Sequence, residues 1–382
     1  MQYAMHSDIQ LWFWYWGTAI SALAMIYALM AWIAVSRRRV PVRPEGAPSP
    51  VSILKPLRGA EADTYSCLRS FCAQQYPRFQ IVFGVSDPDD PVIPIVHRLC
   101  NEFPDRDLRL VISRQQHGTN RKVSNLINML PYAQHENLVI ADSDIRVPAD
   151  YLTRVVAPLA DAGVGIVTCS YTGYHRSGIW SLLGSWFIND WFMPSVRVAA
   201  LSGANAFAFG ATIALRRGVL AAIGGLESIA DQLADDYRIG ERTRRLGLRT
   251  VLSEVQVETC VEERSLGQLI GHELRWLRTI RAVQPVGYAL SIVTFGVPVA
   301  ALGYALTQGS PAAACMLAVT GVIRILLHFW HRQPGSAAWH VVLIPFRDTL
   351  SLVLWCCAFH TRRVIWRGDS FRVNQDGSVQ PV

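Results

Sequence analysis

Residues 138–147 read LVIADSDIRV, an apolar run that ends in Asp142 and Asp144 with one serine between them. Two carboxylates so close repel each other, so the pair calls for a positive partner. The Asp-X-Asp spacing lets both converge on one hard divalent ion, and Mg²⁺ and Mn²⁺ are commonly shared between protein carboxylates and substrate phosphates. A single acid after a strand is also ordinary as a helix cap or turn residue. A second acidic pair lies in LADDYRIGERTRRLG at 233–247, where Leu233, Tyr237, Ile239 and Leu246 keep helical spacing. Asp235 and Asp236 fall in its first turn. There they either complement the helix dipole or accept a proton from a substrate hydroxyl. A third stretch, HELRWLRTIR at 272–281, is basic and amphipathic. Its arginines suit lipid phosphates, or Arg275 and Trp276 cover a diphosphate.

Chemistry of this kind needs a scaffold. Short apolar runs recur at 51–57, 80–87, 108–113, 137–144 and 165–171, with helical spacing in 62–75, 92–103 and 120–131 between them. That alternation predicts a mostly parallel α/β sheet with helices on both faces. Ligands of such sheets lie beyond the carboxyl ends of the strands. Asp87 and the Asp142/Asp144 pair both fall there.

The remaining composition is that of a membrane protein. Of 382 residues, 51% are hydrophobic and 17% charged, and the net charge is +7 with 12 tryptophans. Such a balance suits a membrane surface or an anionic substrate. The eight cysteines form no CxxC pair and no zinc spacing, and read as reduced packing residues. Ile9–Val35 carries no charge and is long enough to cross a bilayer, which takes roughly 20 residues. It is followed by Arg37, Arg38 and Arg39, which places the next residues in the cytoplasm by the positive-inside rule. Val286–Thr307 and Pro311–Trp330 are expected to cross. Trp339–Phe359, interrupted by Arg347 and Asp348, is expected to be interfacial or re-entrant so that the basic tail stays inside. The segment 178–199 is aromatic but holds Asp190 and Arg197, which suits a helix at the membrane interface or a buried helix.

The order VSILKPLRG, SDPDDP, ADSDIRV, ADDYRIG and HELRW resembles the ceramide-glucosyltransferase family of membrane glycosyltransferases (family 21 type, GT-A fold) from about residue 50 to 282. Within that family FGATIALRR, DQLADDYRIG and GHELRWLRTIR look nearest to the bacterial hopanoid-biosynthesis branch, enzymes adding N-acetylglucosamine to bacteriohopanetetrol. The resemblance implies a GT-A-type, mostly parallel sheet catalytic domain with N-terminal and C-terminal membrane helices. The boundaries are a transmembrane anchor at 1–36, a basic Pro/Gly-rich linker at 37–50 and a cytoplasmic catalytic domain at 51–282. Membrane helices at 283–361 and a basic cytoplasmic tail at 362–382 complete the chain.

Residue by residue, the resemblance places the first family Asp on Asp87, toward the uracil or ribose of a UDP-sugar. The second is Asp142, at the metal and diphosphate; Asp144 departs from Asp-Ser-Gly toward the wider DxD pattern. The third is Asp236. Arg275 and Trp276 match the final motif, whose first position, normally Gln or Arg, is His272. The stretch QQHGTNRKVSNL at 115–126 resembles the donor loop. Lys122 there is either a phosphate partner or a solvated charge, and Asn125 a ribose or sugar contact. Lys55 sits at the nucleotide end of the first strand, for binding or packing.

The mechanism so implied is a single displacement. Asp236 takes the acceptor proton, and a divalent ion (Mg²⁺ or Mn²⁺) at Asp142 and Asp144, helped by Arg275, stabilises the leaving diphosphate. Trp186, Trp191 and Met193 are the acceptor-side candidates. Ceramide enzymes of animals carry histidine where Met193 stands, which favours a hopanoid polyol. The expected partners are a UDP-sugar, a lipid acceptor and the bilayer, with no nucleic acid. The expected location is the bacterial inner membrane with a cytoplasmic active site. Alternatives are a ceramide glucosyltransferase, a processive polysaccharide synthase and a non-catalytic nucleotide-sugar-binding membrane protein.

Overall fold

A computed structural model of the protein describes residues 2–37, 48–176, 178–203, 207–332, 337–361, 363–366, 369–374 and 377–381. Arg38 and Arg39 of the expected basic cluster, residues 40–47 of the linker and positions 362, 367 and 368 of the tail lie outside the described residues. The chain forms two compact units. One comprises Arg39–Tyr174, Ala204–Cys260 and Arg367–Val382; the other comprises Met1–Arg38, His175–Gly203 and Val261–Trp366.

The first unit is built on β1 (Val51–Pro56), β2 (Phe79–Val85), β3 (Asp107–Ile112), β4 (Asn137–Ile140), β5 (Ile145–Arg146), β6 (Val164–His175), β7 (Ile213–Arg216) and β8 (Arg249–Val261). They form one eight-stranded mixed sheet in the order β3-β2-β1-β4-β7-β6-β8-β5. β1 pairs in parallel with β2 and with β4, and β2 with β3. The reading from apolar runs holds for this half, because all seven residues of β2 and the first five of β1 are buried. Strands covered on both faces read as continuous apolar runs. Val51 and Ile53 face one core with Phe71 and Tyr151, whereas Leu54 faces another with Val123 and Leu126. Each such fully buried aliphatic chain contributes about 1.5–3 kcal/mol.

Beyond β4 the sheet turns antiparallel: β4 pairs with β7, β7 with β6 and β5 with β8. The apolar run at 165–171 foretold β6, but not the antiparallel pairing, β7 or β8. β7 is only four residues long, and β8 alternates buried and open positions as a half-covered strand does. Because the chain runs β1 to β3 on one side and resumes with β4 on the other, the order reverses between β1 and β4. Crevices at such reversals are where open α/β sheets bind ligands.

Among the described residues the second unit holds three helices long and apolar enough to cross a membrane: Ile9–Ser36, Pro311–Trp330 and Ala338–Cys357. The expected straight crossing at 286–307 is not straight: Pro285–Thr294 and Gly296–Leu306 meet at 73°. The break falls at Phe295, just before Gly296 and the proline-bearing first turn of the next helix. This bent pair is a broken span or a re-entrant loop, and 338–357 is helical and long and apolar enough to cross. Close packing of the first helix rests on Gly303, where a Cβ would run into Ser21 and the Gly17 carbonyl.

The segment 178–199 forms helix Ile179–Trp186, a π-helical stretch Phe187–Phe192 and helix Met193–Leu201. Its Asp190 is buried rather than turned to water. The Asp190 carboxylate accepts from Arg324 at 3.1 Å, and Arg324 also binds Asp348 at 2.9 Å. Arg347 pairs with Glu273 at 2.7 Å, both side chains nearly inaccessible. The charges interrupting the last apolar segments are thus ion pairs to neighbouring helices, which is how ionisable groups persist there. Glu273→Ala leaves Arg347 buried and unpaired, so unfolding free energy should fall by about 3–5 kcal/mol, whereas Glu273→Met with Arg347→Met should be close to neutral. Chemical denaturation of the detergent-solubilised protein checks both.

Candidate active site

Five side chains of the first unit meet at the β1/β4 reversal. Asp142 stands two residues beyond the end of β4, and its backbone N–H donates to the Gly210 carbonyl at 3.2 Å. The Gly210 N–H in turn donates to Asp236 Oδ2 at 2.9 Å. Gly210 is where the two acidic motifs come closest. A Cβ there would stand 2.7 Å from Asp142 Oδ2 and 3.2 Å from Lys122 Nζ, so only glycine allows the approach.

Lys122 lies in helix Arg121–Met129, started by Asn120, whose side chain accepts from the Val123 N–H at 3.1 Å. Its Nζ is 2.7 Å from Asp142 Oδ1 and 3.2 Å from Asp235 Oδ2. Burial alone would lower the ammonium's pKa. The charges of Asp142, Asp235 and Asp236 outweigh it and hold the pKa above its ordinary value. Asp235, read from sequence with Asp236 as a dipole partner or proton acceptor, helps hold this cation. The loop before it is fixed as well: Asn120 donates to the Gln232 carbonyl at 2.7 Å, and the Thr119 N–H to Asp231 at 2.8 Å.

Asp236 opens helix Asp235–Arg245 and accepts from the N–H groups of Tyr237 and Gly210. Burial, then the charge of Asp235, pushes its carboxyl up to about 6, against the pull of Lys122 and those two hydrogen bonds. A carboxylate poised near neutrality suits a general base.

Asp144 is held differently. Its Oδ2 accepts from Thr259 at 2.5 Å. Burial first, and the charge of Asp142 second, raise its pKa. A hard divalent cation relieves that like-charge strain, and two carboxylates with substrate phosphates are the donor set Mg²⁺ or Mn²⁺ takes. Asp142 and Asp144 offer carboxylate oxygens of the kind such an ion takes.

Lys55 is fully buried, donates to the Asp142 backbone carbonyl and lies 3.9 Å over the Phe71 ring. Burial lowers its pKa to about 8, partly offset by Cys67, Asp144 and Asp142. It holds the Asp142 backbone in place. Asn125, expected at the ribose or sugar, donates instead to the Gly84 carbonyl at 2.8 Å and ties its helix to β2. Asp87, beyond the end of β2, is 64% exposed and 3.8 Å from Arg114. Its neighbour Asp90, which sequence reading passed over, accepts from the N–H groups of Gly59 and Val92 and joins the loops after β1 and β2.

The other expected residues belong to the second unit. His272, Arg275 and Trp276 lie on helix Leu266–Val283. His272 Nδ1 donates to Glu263 at 2.5 Å, and its ring meets Trp276 edge-on at 4.8 Å. The Trp191 indole donates to Thr294 at 2.8 Å and stacks on Phe295; Met193 is buried, and Trp186 packs edge-on against His328.

Since Lys122 pulls Asp236 down, Lys122→Met should move the Asp236 titration upward from about 6. The protonated-carboxyl infrared band, assigned by difference against Asp236→Asn, reports it, and an unmoved titration would contradict the coupling.

Known proteins share this architecture. A mannosyltransferase from Pyrobaculum calidifontis, solved in complex with GDP-Man and Mn²⁺, superposes with a TM-score of 0.56 at 20% identity, covering 92% of this chain and 97% of its own. That likeness shows the GT-A-type fold. Ceramide glucosyltransferase 1 of Caenorhabditis elegans is 22% identical over 94% of this chain and 79% of its own length. A ceramide glucosyltransferase of Candida albicans is 33% identical over 28% of this chain and 22% of its own length. The profile described as Glycosyl transferase family 21 matches residues 17–379, and the chain belongs to that family.

Proposed function

We propose that the protein is an inverting membrane glycosyltransferase that moves a sugar, N-acetylglucosamine or glucose, from a UDP-sugar to a hydroxyl of a membrane lipid. One observation carries the reading: Asp236, its carboxyl pushed up to about 6, is joined through Gly210 to Asp142, the residue that Lys122 pairs with. A proton acceptor and an anion-binding edge are thereby adjacent.

When bound at Asp142 and Asp144, a divalent ion supplies positive charge for a diphosphate. Lys122 offers a further cation, and Arg275 and Trp276 keep the donor role that the resemblance implies. Asp87 serves the nucleoside. Asp236 removes the proton of the acceptor hydroxyl as it attacks C1, and the C1–O bond to the diphosphate breaks. One displacement turns an α-linked donor into a β-glycoside. The acceptor on this reading is a hopanoid polyol such as bacteriohopanetetrol, and the site faces the cytoplasm at a bacterial inner membrane. The ceramide glucosyltransferases among the relatives support ceramide as the second acceptor. Incubating membrane-embedded protein with labelled UDP-sugars and total lipid, then identifying the product by mass spectrometry, distinguishes the two. A polymer or no product would contradict both.

Three outcomes follow for transfer kinetics. Asp236→Asn should retain UDP binding by calorimetry and lose transfer by about 10²–10⁴-fold. In the wild type the base works only when deprotonated, so kcat/KM should be flat above the Asp236 pKa of about 6 and fall about tenfold per pH unit below it. Gly210→Ala displaces Asp142 and Lys122 from their contact and should cost on the order of 10²-fold in kcat, read in the same transfer assay.

A further inference from the structure

The membrane-helix unit contains a polar cavity of about 10 Å³ lined by His175, Asp190, His328, His331, Arg332 and His340, with Trp186 on one wall. That volume holds one water-sized group. His328 belongs to helix Pro311–Trp330 and His331 directly follows it; Asp190 comes from the π-helical stretch, and His340 from the turn Ala338–Leu343. His328 Nδ1 and Asp190 Oδ2 are 2.8 Å apart, which orients that imidazole. Asp190 is also paired with Arg324, so the carboxylate brings no uncompensated charge to the wall. Among the described residues the buried Nδ1 of His340 has no hydrogen-bond partner, and the His331 imidazole has at most the Leu327 backbone beside it. Orphaned polar atoms inside a protein are costly and call for a ligand or water.

The size and spacing of the cavity choose among ligands. A transition-metal ion needs imidazole nitrogens at about 2.0–2.1 Å. Among the described residues, no three imidazole, thiol or carboxylate atoms of this wall lie within 4.8 Å of one another. The wall is therefore spaced for hydrogen bonds, not coordination. It mixes imidazoles, which donate or accept, with an acceptor carboxylate and a donor guanidinium, and a hydroxyl, like water, is a small group that does both. Trp186 packs edge-on on His328 at 4.4 Å and gives the wall an apolar side. At the same helix end Trp330 meets Trp32 edge-on, an aromatic pair of the sort that sits at headgroup depth.

We infer that this cavity seats one hydroxyl of the headgroup of a hydroxylated membrane lipid, the acceptor class of the reading above, on which this inference rests. Full-length protein in lipid nanodiscs tests it with the double variant His331→Ala/His340→Ala and the milder His340→Gln. The double variant should raise the apparent KM for the lipid acceptor about tenfold while leaving the KM for the UDP-sugar unchanged, and His340→Gln should recover part of that loss. By native mass spectrometry, wild type should retain N-palmitoyl sphingosine over its O-methylated form, and the double variant should lose that preference. An unmoved acceptor KM with equal retention of both lipids means ordered water only and overturns the inference. So does stoichiometric zinc in the wild type that the double variant lacks. If wild type transfers no sugar to any lipid, the proposed function fails instead, and the retention measurement alone decides the fate of the cavity.

Discussion

A single ammonium group, Lys122 Nζ, stands 2.7 Å from Asp142 and 3.2 Å from Asp235, and its charge also reaches Asp236. Three carboxylates gathered at the edge of a sheet repel, and burial makes the repulsion worse. The lysine makes the arrangement tolerable without quenching it. Asp236 still sits near neutrality, so the cluster keeps one group that can take a proton and others that suit cations. Tension of this kind is typical of sites that do chemistry.

The scaffold explains how the tension is sustained. Lys55 anchors the Asp142 backbone from β1, the neighbouring strand. Gly210 holds Asp142 through its carbonyl and Asp236 through its N–H. The reversal of strand order between β1 and β4 opens the crevice there, and the helix bearing Asp236 brings the acid in from the antiparallel half. In the other unit the membrane helices solve a different problem with the same chemistry. Asp190 and Asp348 share Arg324, and Glu273 takes Arg347, so each acid finds a basic partner among apolar neighbours. The chain belongs to Glycosyl transferase family 21 and has the GT-A-type fold.

The parallel strands were legible because a strand covered on both faces must be apolar throughout, as VSIL and FQIVFGV nearly are. The helices between them followed from spacing alone and fall at Thr64–Cys72, Ile93–Glu102 and Arg121–Met129. In the antiparallel half β6 was legible for the same reason, whereas β7 escaped because it is short and β8 because it is half-covered. Local spacing showed that Asp142, Asp144 and Asp236 were unusual, but tertiary contact alone decides that Asp235 pairs with Lys122. Gly210 lies in FGATIALRR, a stretch that carried the resemblance, but its role between the acids shows only once they are placed. The histidines at 175, 328, 331 and 340 were silent, being scattered along the chain. Asn125 looked like a ligand contact because it is polar and lies near the expected donor loop, yet a helix packed on a strand also needs a donor for a buried carbonyl.

The account turns on Asp236 acting as base in one displacement, with no sugar ever bonded to the protein. Proton NMR of the purified glycolipid product reads the outcome directly from the anomeric coupling. From an α-linked UDP-sugar the product should carry a β-linkage. An α-linked product would require retention of configuration and contradict the role given to Asp236.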